Sequence, residues 1–202
     1  MKDKVIKLRN DYSDASLTVK TIQKGTDNIA VIVGNGNSVF VDDVCRPKKI
    51  KGYKNSTIFA IYYPQTSEEM VVTERELAEF INKEFMLYKK IILHGYSECG
   101  LAFLRIYKQL DTWTKLRTHV VSVSASMKEI CLGSILKDMS EYGYEYKNNI
   151  HIVVSKPSHN SLTRCYMVPF KDQIPDCIYD QITVSSVRSA MHKSCKFVRT
   201  LM

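Results

Sequence analysis

The stretch Ile91-Ile92-Leu93-His94-Gly95-Tyr96-Ser97-Glu98-Cys99-Gly100 decides how the rest of the chain is read. Ile91-Ile92-Leu93 is a short apolar run of the kind a strand shows when both its faces are covered. Leu101, Leu104 and Tyr107 then recur on one stripe at helical spacing. Between them, Gly95 stands two residues before Ser97, Cys99 two after it, and Gly100 follows at once. Small side chains at those places let a strand turn sharply into a helix without striking either neighbour. The pattern therefore predicts a buried strand, a tight turn at Ser97 and a helix opening at Glu98.

The same alternation extends in both directions. Thr57 to Tyr63 is a near-continuous apolar run ended by Pro64, and Thr73 with Glu76 forms a capping-box pattern ahead of Leu77, Phe80, Ile81 and Phe85. Downstream, Val120 to Val123 reads as a strand, Met127 to Tyr142 as a helix stopped by Gly143, and Ile150 to Val154 as a strand. Arg164 to Val168 is a candidate fifth strand of this series, and a last helix begins near Ser185. Upstream, Leu17 to Ile22 alternates as an edge strand would. Ile29 to Val33 is a strand that the turn residues Gly34-Asn35-Gly36-Asn37 send back along Val39-Phe40-Val41. The expectation is an α/β fold: a three-layer α/β/α sandwich with a mostly parallel sheet, preceded by an antiparallel hairpin, in one domain over residues 1–202. Active groups in such sheets gather at the carboxyl ends of the strands.

With 202 residues the chain is long enough for one buried core. Its net charge of +8 favours acidic partners, a nucleic acid or an acidic protein among them, although the cations are spread along the chain. The densest group, Arg46 to Lys51, has no interleaved aromatic residues of the kind that stack on single-stranded bases. The six cysteines are irregularly spaced and none forms C-x-x-C, which argues against a zinc site and a disulfide scaffold and for a reducing, cytoplasmic setting. No signal-peptide pattern and no apolar run of about 20 residues is present.

Gly95-Tyr96-Ser97-Glu98-Cys99 resembles the G-x-S-x-G nucleophile elbow of the α/β-hydrolases, the lipase and esterase superfamily. The resemblance covers residues 56–125 and departs from the motif at Cys99, where the family has glycine. It implies a serine hydrolase, small and lidless, that attacks an ester, thioester or related acyl bond of a small substrate through Ser97. By the same resemblance the oxyanion would be held by the Glu98 N–H and by an N–H of Gln65 or Thr66. No cofactor is implied: Gly34-Asn35-Gly36-Asn37 is not G-x-G-x-x-G, and there is no Walker A pattern.

A serine hydroxyl needs a base, and the base an orienting acid. Two histidines are candidates. His159 follows the Ile150–Val154 strand, where the family carries its acid, and Asp172 is positioned in sequence to orient it. His192 follows every possible acid, as the family order requires, and pairs with Asp180, whose Asp180-Gln181-Ile182-Thr183-Val184-Ser185-Ser186 stretch is similar to the acid segment of some lipases. Against His192, the family places its histidine in a loop and not inside the last helix. If neither is a base, the chain is a catalytically inactive member of the same fold whose basic surface binds a partner.

Overall fold

The computed structural model describes residues 4–7, 16–35, 53, 55–62, 67–96, 98–123, 149–155, 182–185 and 187–202. Among the described residues, eight strands form one sheet: β1 (Lys4–Lys7), β2 (Ser16–Gln23), β3 (Ile29–Asn35), β4 (Thr57–Tyr62), β5 (Lys90–Tyr96), β6 (Thr118–Val123), β7 (Ile150–Ser155) and β8 (Ile182–Ser185). Their order is β1-β2-β4-β3-β5-β6-β7-β8. β1 and β2 form an antiparallel pair, β2 is antiparallel to β4, and every later pairing is parallel.

Alternation along the central strands divides the core in two. Ile91 and Leu93 of β5 face one cluster with Ile32, Phe59 and Val120, while Ile92 faces the other with Val31, Val33, Val121 and Val153. Helices α1 (Ser67–Glu84) and α2 (Glu98–Gln109) cover the first face through Leu77, Ile81, Phe103, Leu104 and Tyr107. Helix α4 (Val187–Leu201) covers the second through Cys195 and Val198. A one-turn helix, α3 (Thr112–Leu116), is capped by Asp111, which accepts the Thr114 N–H at 2.7 Å. The result is the expected three-layer α/β/α sandwich.

Several expectations change in detail. The antiparallel hairpin is present, but β1 and β2 make it. β3 has β4 along one side and β5 along the other, both parallel, so it has no edge left for a return strand. Val39 to Val41 lie outside the described residues. β2 is a strand as expected, yet it is flanked by β1 and β4 and is not an edge. α1 starts at Ser67, six residues before Thr73. Thr73 and Glu76 are consequently buried mid-helix positions. β8 occupies Ile182-Thr183-Val184-Ser185, a run with three β-branched residues for which the sequence reading gave only a resemblance to a lipase acid segment and no strand. The expected helix at 127–142 and strand at 164–168 lie outside the described residues.

Candidate active site

β5 ends at Tyr96 and α2 begins at Glu98, so one residue, Ser97, joins a buried strand to a buried helix. Ser97 itself is outside the described residues, whereas the strand and helix it joins pack closely on each other. The chain reverses so tightly that a Cβ on Gly95 would lie 2.6 Å from the Cys99 carbonyl oxygen. A Cβ on Gly100 would lie 2.7 Å from Ser122 Oγ.

Three small residues in register form the floor beneath this turn. Gly95 pairs with Gly34 of β3 on one side and with Ser122 of β6 on the other. A Cβ on Gly34 would stand 2.4 Å from Cys99 Sγ and 2.7 Å from Phe103 Cζ. Gly34 is therefore not a hairpin residue: its missing side chain admits Cys99 and Phe103 of α2. The hydroxyl of Ser122 is buried and has no hydrogen-bond partner among the described residues. Small size, not bonding, is what that position supplies. The cysteine that replaces the motif's second glycine is thus accommodated by a glycine two strands earlier in sequence. Gly34→Ala is expected to cost about 1–3 kcal/mol in urea unfolding. In a Cys99→Ala background most of that cost should vanish, giving a coupling of about 1–2 kcal/mol in the double-mutant cycle.

Cys99 is buried, and burial pushes its thiol well above the usual range, with the Glu74 charge adding to the effect. It fills space as a neutral thiol. Glu74 of α1 is also buried, and Arg105 of α2 grips it through Nε, 2.8 Å from each carboxylate oxygen. Burial raises the Glu74 pKa and Arg105 pulls against that rise. The pair fixes α1 to α2 directly behind the turn, and its loss would strand a carboxylate in the core.

On the opposite face of β5, His94 is fully buried and its Nε2 lies 3.0 Å from Ser194 Oγ of α4. Burial lowers its pKa to about 3. A neutral imidazole enclosed between sheet and helix is a structural element, and it ties α4 to the strand that leads into Ser97. His151 is partly buried and stacks on Phe197 at 3.6 Å.

Of the residues singled out from sequence, Glu98 opens α2, and its N–H belongs to the helical first turn, where N–H groups have no partner within the helix. His192 is exposed on α4. It lies two residues, roughly 200° of helix, from Ser194, which packs on His94 against the sheet. Moreover, only Ser186 separates β8 from α4, so no loop of the kind that carries the family's histidine stands there. Gln65, Thr66, His159, Asp172 and Asp180 lie outside the described residues. Chain connectivity still constrains them. Gln65 and Thr66 follow β4, which β3 separates from β5, whereas the chain that leaves the immediate neighbour β3 begins at Gly36. Asp180 precedes β8 by two residues in sequence, and β8 stands three strands from β5. Gly34 and Ser122 were the contributors that sequence reasoning missed. Among the described residues, no three His, Cys, Asp or Glu side chains are grouped to hold a metal ion, and no helix is long and apolar enough to cross a membrane.

This geometry is that of the α/β-hydrolase fold. Among solved structures, the chain is similar to a predicted CIB-like hydrolase of Thermoplasma acidophilum, with TM-score 0.59 and 8% identity over 98% of this chain and 97% of that one. It is also similar to an esterase of Pyrococcus furiosus, with TM-score 0.55 and 14% identity over 99% of this chain and 90% of the other. The enterochelin esterase of Shigella flexneri superposes with TM-score 0.57 and 13% identity over all of this chain and 57% of that one. No protein-family model and no curated protein matches the sequence.

Proposed function

We propose that the protein is a serine hydrolase that cleaves an ester, thioester or related acyl bond of a small substrate, with Ser97 as nucleophile. The observation that supports this most is the one-residue junction at Ser97, set over the Gly34, Gly95 and Ser122 floor at the carboxyl end of β5. Ser97 attacks the acyl carbon, and the Glu98 N–H at the start of α2 stabilises the resulting oxyanion. The strand order favours an N–H of Gly36 or Asn37 as second donor over Gln65 or Thr66, since β3 and not β4 adjoins β5. His159, four residues past the carboxyl end of β7, takes the Ser97 proton and returns it to the leaving group, with Asp172 holding its other ring nitrogen. The outward placement of His192 and the position of Asp180 make that second pair the weaker arrangement.

The test is labelling with a fluorophosphonate, followed by peptide mapping. Modification is expected at Ser97 and absent in Ser97→Ala, and His159→Ala should slow it by about 10⁴ while His192→Ala leaves it intact. The rival reading is a non-catalytic protein that binds a polyanion. It is favoured by the exposed His192, Lys193, Lys196 and Arg199 on α4, a helix with no acidic residue. Folded protein that resists the probe and binds nucleic acid in a salt-dependent way would replace the first reading with the second.

A further inference from the structure

At the amino ends of β5 and β6, opposite the Ser97 junction, four large apolar side chains project into solvent. Leu87 is 83% exposed, Trp113 71%, Met86 62% and Leu116 54%. They border an open groove of about 330 Å³ whose lining, among the described residues, includes Lys89 and Arg117 and no carboxylate. A cluster of this kind on an ordered surface marks an interaction site.

The cluster is built, not frayed. Arg117 Nη1 donates to the Phe85 carbonyl at 3.1 Å, to that of Met86 at 2.7 Å, and to that of Tyr88. One guanidinium thus holds the turn that carries Met86 and Leu87 against the helix that carries Trp113 and Leu116. Further cations reach the same end. Lys90 Nζ donates to the Leu201 carbonyl, which brings there the last turns of α4 with exposed Lys196 and Arg199. Of the carboxylates at this end among the described residues, Asp27, Glu84 and Asp111, none lines the groove, and Asp111 is engaged in capping α3.

We propose that this end of the molecule docks on an anionic membrane surface. The side chains stand out from the surface instead of lining a deep cleft. A bilayer interface accepts such projecting Trp, Leu and Met residues, whereas a peptide anchor needs an enclosed pocket. The surrounding cations match anionic headgroups. A second copy of the chain, also at +8, would bring like charge against like. Because the cluster lies at the amino edge of the sheet and Ser97 at the carboxyl edge, docking leaves the junction facing away from the lipid. The inference is independent of whether Ser97 is catalytic.

Trp113 is the only tryptophan, so its emission reports the contact directly. Mixed phosphatidylcholine–phosphatidylglycerol vesicles are expected to shift the emission to shorter wavelength, and brominated acyl chains to quench it. Pure phosphatidylcholine should do neither, and high salt should reverse the effect. Leu87→Ser should weaken partition by about tenfold, and Lys89→Glu should weaken it severalfold. The wild-type result decides the matter even if a variant fails to fold. No shift with anionic vesicles overturns the proposal, as does an equal shift with neutral ones. A blue shift that tracks protein concentration without vesicles, or one produced only by an acidic amphipathic peptide, also overturns it in favour of self-association or a protein partner.

Discussion

Gly95→Ala is expected to destabilise the protein by about 3 kcal/mol or more, and Gly95→Val to prevent native folding. The reason is the identity of the obstructing atoms. A Cβ there meets the Cys99 carbonyl oxygen at 2.6 Å and its carbon at 2.8 Å. Those are backbone atoms of the first turn of α2, which is packed on the sheet and cannot yield alone. Phe103 Cδ2, at 2.8 Å, closes the remaining route. At Gly34, by contrast, the nearest obstructions are the ends of side chains, which can rotate or be trimmed. For a chain of this size the alanine variant should melt roughly 6–12 °C lower. A variant as stable as the parent would mean that strand and helix do not meet as closely as described.

Acidification should expose the His94 contact. In the unfolded chain this histidine has an ordinary value near 6.5, and in the fold burial takes it to about 3. Between those values the unfolded state binds a proton that the folded state refuses, so stability is present above pH 6.5 and lost as pH falls toward 3. The slope from this one group is about 1.4 kcal/mol per pH unit, or roughly 3 kcal/mol by pH 4.5. His94→Gln retains a polar group for Ser194 and removes the titration. Urea unfolding at pH 7 and pH 4.5 should show the parent losing more stability than the variant by about that amount. Equal losses would mean that His94 takes up its proton without leaving the fold.

The strand, turn and helix around Ser97 were legible because every signal that specifies them is local: an apolar run, small residues at fixed offsets, then a helical stripe. The fold class followed, since buried strands alternating with helices have few ways to pack. Signals that act across the sheet were not legible. Gly34-Asn35-Gly36-Asn37 reads as a tight turn, but Gly34 answers to Cys99 and Phe103, far along the chain. Thr73 and Glu76 match a helix cap, yet Ser67 opens the helix, and the charge of nearby Glu74 is tolerated in the interior because Arg105 meets it. Ile182 to Ser185 has the composition of a strand, but the neighbouring Asp180 drew it into a functional motif. A base for Ser97 would have to come from a different part of the chain, and no local pattern encodes such a pairing.

The two described cysteines give the fold a pair of internal clocks. Cys99 lies beneath the Ser97 junction in one helical layer and Cys195 lies in the other, both as buried thiols outside any disulfide among the described residues. A thiol reagent reaches either one only when its layer opens, so each alkylation rate measures how often that side of the sheet is uncovered. Mass spectrometry separates the two sites. Their ratio then tells whether α2 and α4 release the sheet together or one at a time.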